Sequence, residues 1–128
     1  MKHSPGFLAI VADAKSRVRQ MTPEEVKARM EGGDAPLLID CREDHEWEKG
    51  HIVGAVHMSR GIIERDIETA VPGKDAALVI YCGGGYRSAL AADNLQRMGY
   101  TNVASMDGGW RTWSALGYPT INYKRSIP

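Results

Sequence analysis

Cysteine, net charge and long apolar runs are all scarce in this sequence, and each shortage excludes a class of protein. The 128 residues include 2 cysteines, Cys41 and Cys82, which are too few for a disulfide framework and lack the paired spacing of a zinc site. The 16 basic and 16 acidic side chains leave no net charge to attract nucleic acid or an anionic membrane. The apolar stretch at 7–12 ends at Asp13 and is too short to span a bilayer. We therefore expect a cytoplasmic protein without nucleic-acid or membrane partners.

The remaining composition is that of one globular domain. Apolar residues make up 43% of the chain and charged residues 25%, which suffices to bury a single core without disulfides or a structural metal. We predict an N-terminal helical extension at 1–17, a domain at 18–123 and a C-terminal tail at 124–128. The extension has helical apolar spacing over 5–16, with Phe7, Ile10, Val11, Ala14 and Val18 near one face. This spacing suits either an extra cover on the core or a dimer contact.

Strand and helix patterns alternate along the domain. Apolar runs predict a short strand within 51–58 and further strands at 18–21, 37–39, 77–81 and 103–106. Helical spacing and capping residues predict helices at 23–31, 45–49, 62–69, 89–98 and 109–117. Because no two strands are joined by a two-residue hairpin turn, we predict an α/β fold with a parallel sheet and helices on both faces. Ligands of such sheets bind where the strands end, at the carboxyl edge.

The segment from Cys82 to Ser88 carries the strongest chemical signal. The apolar run at 77–81 delivers Cys82 to a helix entrance through three glycines, which allow backbone N–H groups to converge on one anion. Such a setting stabilises a thiolate and brings a cysteine pKa from about 8.5 to between roughly 3.5 and 7.5. We predict Cys82 as the catalytic nucleophile and a substrate-binding loop made of Gly83, Gly84, Gly85, Tyr86, Arg87 and Ser88.

Four segments form a pattern in a fixed order along the chain. They are Asp40-Cys41-Arg42 after an apolar strand, residues 46–55, the loop 82–87 with Ser88, and Gly108-Gly109 followed by Trp113. Together they resemble the rhodanese family, in particular its small single-domain thiosulfate sulfurtransferases. The resemblance runs from Val18 to Pro119 and implies a five-stranded, mainly parallel sheet with the loop at its carboxyl edge.

Loop length separates two activities within this resemblance. Sulfur-transferring members have six residues from the cysteine to the arginine, whereas the related cell-cycle phosphatases have one more and accommodate the larger phosphate group. Cys82 to Arg87 spans six residues, so the resemblance implies sulfur transfer. Two alternatives stay open: a phosphatase or arsenate reductase on the same scaffold, and a non-catalytic rhodanese-like binding module.

The implied reaction passes through a persulfide on Cys82. The thiolate attacks the outer sulfur of thiosulfate or of a persulfide donor, and a thiophilic acceptor such as cyanide or a thiol then removes that sulfur. A protein is a further candidate acceptor. The resemblance implies no metal and no organic cofactor, because the sulfur is carried on the enzyme itself.

Several polar residues are expected to support the loop. Arg87 closes it, and Glu46 is the predicted carboxylate partner of that arginine. Asp40 and Arg42 are expected to form a salt-bridged network that fixes the end of their strand. Ser88 suits either a hydroxyl donor to the catalytic sulfur or a helix cap, and we expect the cap.

Cys41 has two interpretations. Side chains alternate along a strand, so Cys41 faces away from Asp40 and Arg42 and suits a small buried apolar position. The related phosphatases have the same Asp-Cys-Arg sequence, and in them this cysteine forms a disulfide with the catalytic one that protects it from over-oxidation. The resemblance therefore also implies a redox partner for Cys82.

Overall fold

Five parallel strands form the central sheet in a computed structural model that describes residues 2–122. The strands are β1 (Arg19–Met21), β2 (Leu37–Asp40), β3 (His51–Ile52), β4 (Val56–His57), β5 (Leu78–Tyr81), β6 (Val103–Met106) and β7 (Thr120–Ile121). The helices are α1 (Pro5–Lys15), α2 (Pro23–Glu31), α3 (Asp44–Lys49), α4 (Ile63–Ala70), α5 (Tyr86–Arg97) and α6 (Gly109–Ala115). The order β1-β6-β5-β2-β4 confirms the predicted α/β fold, while the predicted tail at 124–128 lies outside the described residues.

The register between two central strands places the two cysteines side by side. Asp40 of β2 pairs with Tyr81 of β5, and the N–H of Cys41 donates to the carbonyl oxygen of Tyr81 at 2.9 Å. Cys41 and Cys82 therefore follow the last residues of neighbouring parallel strands. Both lie at the carboxyl edge of the sheet, where the ligands of such sheets bind.

The sheet separates two apolar layers, each covered by helices. The layer against α4 and α5 includes Cys41 and Cys82, and the layer against α2 and α6 includes Leu38, Val79 and Tyr81. Neighbouring side chains of a strand point to opposite faces, which puts the two cysteines in the same layer. The sheet thus buries both thiols from one side, and the loop that follows β5 must shield Cys82 from solvent on the other side.

Helix α1 packs along α5 and extends the layer that contains the cysteines. Val11 and Ala14 are buried, whereas Ile10, which the apolar spacing assigned to the same face, is 56% exposed. The assignment of Ile10 is wrong because the face of α1 that packs on the domain runs through Val11 and Ala14, and Ile10 lies outside that face. The extension therefore packs on the domain within the same chain.

Helix caps follow the sequence closely, whereas the shortest strands do not. Thr22 and Glu25 form the predicted capping box at the start of α2, with reciprocal bonds of 3.1 and 2.9 Å. The predicted turn and strand at 51–58 consists of β3, a turn and β4, and β3 pairs with the unpredicted β7. Within residues 2–122, no helix has both the length and the apolar composition needed to cross a bilayer.

Candidate active site

The loop between β5 and α5 is shaped by contacts with the start of α6. The N–H groups of Trp110 and Arg111 donate to the carbonyl oxygens of Cys82 and Gly83 at 2.8 and 3.0 Å. Gly109 has a φ of +53°, and a Cβ atom there would collide with the carbonyl oxygen of Cys82. Because the loop carbonyls are held outwards by α6, the loop N–H groups are left to point inwards.

The inward N–H groups converge on the sulfur of Cys82. Gly85 N lies 3.2 Å and Ser88 N 3.4 Å from Sγ, and Ser88 Oγ lies 3.5 Å away. Gly85 adopts a φ of +94° as the residue before α5, a left-handed conformation that glycine tolerates best. Cys82 is 1% exposed. Its sulfur therefore lies in a nest of hydrogen-bond donors at a helix N-terminus.

These donors stabilise the thiolate over the thiol. A hydrogen bond from Cys41, followed by those from the Ser88 side chain and N–H, lowers the pKa of Cys82 to about 4 despite its burial. The same contact and burial raise the pKa of Cys41 well above its usual range. These shifts favour the thiolate on Cys82 and the thiol on Cys41.

Ser88 contacts the sulfur of Cys82 and does not cap the helix. Gly85 precedes α5, and the Ser88 hydroxyl lies 2.8 Å from the hydroxyl of Ser105 on β6. The expectation that Ser88 is a cap is wrong, because its side chain points across the loop towards Cys82. Ser105 was not identified from the sequence; its one signal is a buried hydroxyl within the apolar strand β6.

Arg87 forms an ion pair with Glu46 beside the loop. Its Nη1 and Nη2 atoms donate to the two carboxylate oxygens at 2.8 and 3.2 Å. This hydrogen bonding lowers the pKa of Glu46 to about 2. Glu46 Oε1 also accepts from the N–H of Glu43 at 3.1 Å, which fixes the carboxylate at the start of α3. The ion pair thus ties α3 to the active loop.

Asp40 and Arg42 lie on the opposite face of β2 from Cys41. The Arg42 guanidinium donates to both carboxylate oxygens of Asp40 at 2.8 to 3.1 Å and to the carbonyl oxygen of Gly50 at 2.6 Å. Both side chains are buried, so this network fixes the chain that follows β2. Neither residue lines the cavity above Cys82.

A cavity of about 600 Å³ opens above the sulfur. Its floor is formed by the loop, and its walls come from three parts of the chain that are far apart in sequence. The wall residues outside the loop are His3, Phe7, Glu43, His45, Glu46 and Arg111. His3 and Phe7 were not identified from the sequence, because nothing in the extension indicated that it reaches the loop.

The arrangement defines a class of α/β proteins in which a strand delivers a cysteine thiolate to a nest of N–H groups at a helix N-terminus. The model of the Rhodanese-like domain matches residues 22–116. The chain therefore belongs to the rhodanese-like family.

Sulfurtransferases are among its relatives. It is 30% identical over 118 residues to the probable adenylyltransferase/sulfurtransferase MoeZ of Mycobacterium tuberculosis, covering 90% of this chain but 30% of that protein. It is 33% identical over 105 residues to the thiosulfate sulfurtransferase GlpE of Pseudomonas entomophila, covering 81% of this chain and 91% of the relative. These similarities support sulfur transfer as the general type of chemistry.

A similar solved structure carries a different functional suggestion. It is a protein of unknown function from Rhodopseudomonas palustris, described as a possible tyrosine phosphatase, with a TM-score of 0.83 and 31% identity. The match covers 93% of this chain and 96% of that one. The similarity confirms the fold, and it makes the distinction between sulfur and phosphate the first functional question.

Proposed function

We propose that this protein is a sulfurtransferase that moves sulfane sulfur from thiosulfate or a persulfide donor to a thiol or cyanide through a Cys82 persulfide. The observation that carries the proposal is the buried Cys82 sulfur within a six-residue loop whose N–H groups converge on Sγ. GlpE, a relative named thiosulfate sulfurtransferase, supports the choice of donor. A protein acceptor remains within the proposal, as does a reducing, cytoplasmic setting that keeps both thiols free.

The two half-reactions balance without a cofactor. The Cys82 thiolate attacks the outer sulfur of thiosulfate, a sulfur–sulfur bond forms as the bond to the sulfonate sulfur breaks, and sulfite leaves with the electron pair. The terminal persulfide sulfur is then attacked by cyanide or a thiolate, which restores the Cys82 thiolate. The N–H nest accepts the negative charge in both resting and sulfur-loaded states, since each carries one negative charge at the loop.

Sulfur is favoured over phosphate by the state of the loop arginine. Both Nη atoms of Arg87 are bonded to Glu46, so the carboxylate already occupies the guanidinium edge that a phosphate group would need. A phosphate monoester also requires donors for three peripheral oxygens, whereas a terminal sulfur requires donors for one atom. The loop N–H groups converge on one sulfur atom and therefore suit a terminal sulfur better than a phosphate group.

Parallel assays separate the candidate functions. We expect thiocyanate to form from thiosulfate and cyanide, Cys82→Ser to abolish its formation, and p-nitrophenyl phosphate to remain intact. Hydrolysis of the aryl phosphate that depends on Cys82, without thiocyanate formation, would identify a phosphatase. Absence of both activities in a folded protein would identify a binding module.

We further propose that Cys41 is the redox partner of Cys82. Hydrogen peroxide converts the Cys82 thiolate to a sulfenic acid, and the neighbouring Cys41 thiol displaces water from it to form a disulfide. The place of the two cysteines after the last residues of paired strands, within the same buried layer, supports this step. Peroxide is expected to remove the mass of two hydrogens from the wild type, whereas Cys41→Ser is expected to gain oxygen instead. Retention of the disulfide mass in Cys41→Ser would contradict the pairing.

A further inference from the structure

We propose that His3, Phe7 and Tyr86 form a binding subsite for the organic substituent of the sulfur donor. We call these three residues the aromatic wall. The proposal rests on the sulfurtransferase function and narrows its substrate class. The donor is a sulfane-sulfur compound that joins an anionic reacting group to an aromatic or apolar substituent, such as a thiosulfonate or an organic persulfide.

The aromatic wall is a packed cluster at the edge of the cavity above Cys82. The ring centroids of His3 and Tyr86 lie 4.6 Å apart, those of His3 and Phe7 5.2 Å, and those of Phe7 and Tyr86 6.1 Å. All three residues line the cavity together with Cys82, and all are half-buried, so they keep ring surface open towards it. Aromatic surface in a cavity favours ligands with apolar or aromatic groups.

Two of the three rings come from outside the matched family domain. His3 and Phe7 belong to the extension, whereas the family model matches residues 22–116. The extension is held in place by buried Val11 and Ala14, and its end is fixed by Arg17, which donates to Asp93 at 2.8 and 3.1 Å. The wall is therefore presented by an anchored helix and is a property of this chain beyond the shared domain.

The cavity combines apolar and cationic surface, and a donor with an anionic reacting group and an apolar substituent needs both. The guanidinium of Arg111 lies against the loop, with Nη1 3.4 Å from where a Cβ atom of Gly84 would be. Within residues 2–122, Arg111 has no carboxylate partner, so its charge is available to an anion beside Cys82. Thiosulfate has no apolar surface and would leave the aromatic wall in contact with water.

The chemistry with such a donor keeps the same balance. In a thiosulfonate, the Cys82 thiolate attacks the terminal sulfur, the bond between the two donor sulfurs breaks, and the organic sulfinate leaves with the electron pair. In an organic persulfide, the leaving group is the corresponding thiolate. The substituent leaves with the first product, so the wall acts on the donor half-reaction alone.

Two thiosulfonates of equal charge test the aromatic wall. Benzenethiosulfonate and methanethiosulfonate have the same reacting group and differ in the ring, and the donor kcat/KM measured with cyanide as acceptor reports the donor half-reaction. We expect Phe7→Ala to lower kcat/KM for benzenethiosulfonate about five- to tenfold and to leave that for methanethiosulfonate unchanged. The matched control is Leu8→Ala, since Leu8 lies on the same helix and is 42% exposed.

His3→Ala provides a second variant with the same expected selectivity, and it decides the matter if Phe7→Ala does not fold. Equal loss with both thiosulfonates, or no loss with either, would overturn the aromatic wall while thiocyanate formation still supported the sulfurtransferase. If neither thiosulfonate nor thiosulfate yields a Cys82 persulfide, the proposed function itself fails. The two failures are therefore distinguishable.

Discussion

At the scale of single residues, the pair of thiols determines the chemistry of the site. Burial alone would raise the pKa of Cys82, yet the donors around Sγ reverse that effect and lower it to about 4. The largest of these contributions comes from Cys41, whose own proton is retained. Cys41 thus lowers the pKa of Cys82 in addition to its proposed redox role.

Two substitutions of Cys41 distinguish its effect as a hydrogen-bond donor to Cys82 from its effect on packing. Cys41→Ala removes the donor and is expected to raise the pKa of Cys82 by roughly 1, whereas Cys41→Ser keeps a donor and is expected to change it less. The ultraviolet absorbance of the thiolate, followed against pH with Cys82→Ser as the blank, measures both. Identical titrations in wild type and both variants would show that Cys41 contributes nothing to the thiolate.

The sequence alone could single out Cys82 but not the full set of donors around its sulfur. Cys82 is evident because three glycines and a helix entrance follow an apolar strand. Ser105 is not, because its hydroxyl matters only once β6 pairs beside β5 and faces Ser88 across the loop. Contacts between residues that are far apart in sequence depend on register, which periodicity does not report.

At the scale of elements, the start of α6 acts as a template for the active loop. Gly109 must be glycine both because of its positive φ and because its Cα hydrogen faces the carbonyl oxygen of Cys82. Gly117, at the other end of α6, also has a positive φ but no heavy atom within 4 Å of a Cβ position. Substituting each glycine therefore distinguishes the cost of backbone strain, which both positions share, from the cost of collision with the loop, which only Gly109 has.

Alanine substitutions at these two glycines are expected to differ in a measurable way. Gly117→Ala should cost about 1 kcal/mol in the free energy of unfolding, the cost of a left-handed conformation. Gly109→Ala should cost about 3 kcal/mol or more and slow persulfide formation, because the loop must move away. Urea unfolding and thiosulfate-dependent kinetics check both values. Equal effects of the two variants would contradict the role of α6.

The ion pair between α3 and the loop gives a pH-dependent signature. The pKa of Glu46 is lowered to about 2 from an ordinary 4.5, so the pair stabilises the fold fully above pH 4.5 and its contribution is lost as the pH falls towards 2. We expect Glu46→Gln to destabilise the protein by about 1 kcal/mol or less at neutral pH, since the pair is partly exposed. Near pH 2, where the Glu46 carboxylate is protonated, we expect the substitution to have no effect on stability.

The exposed Glu48 on the same helix supplies the control. Glu48→Gln is expected to leave the stability unchanged across the same pH range, as measured by urea unfolding at each pH. A destabilisation by Glu46→Gln that stays constant between neutral and acidic pH would show that the carboxylate charge is not what ties α3 to the loop.

At the scale of the whole molecule, the alternation of strands and helices made the fold predictable from the sequence. The same alternation predicted only part of the cavity. Strands buried on both faces and helices with clear caps, such as the Thr22 and Glu25 box, specify a parallel sheet and hence the edge where Cys82 must lie. The position of α1 was not specified, because an amphipathic extension has many surfaces to cover. Its packing on α5 completes the cavity with His3 and Phe7.

The mass of the isolated protein after brief exposure to thiosulfate and removal of excess donor tests the central claim most directly. We expect wild type and Cys41→Ser to gain one sulfur atom, located on Cys82 by peptide mapping, and cyanide to remove it. Cys82→Ser is expected to gain none. A wild-type protein that keeps its original mass with thiosulfate and with benzenethiosulfonate, while its Cys82 thiolate is intact, would rule out a Cys82 persulfide.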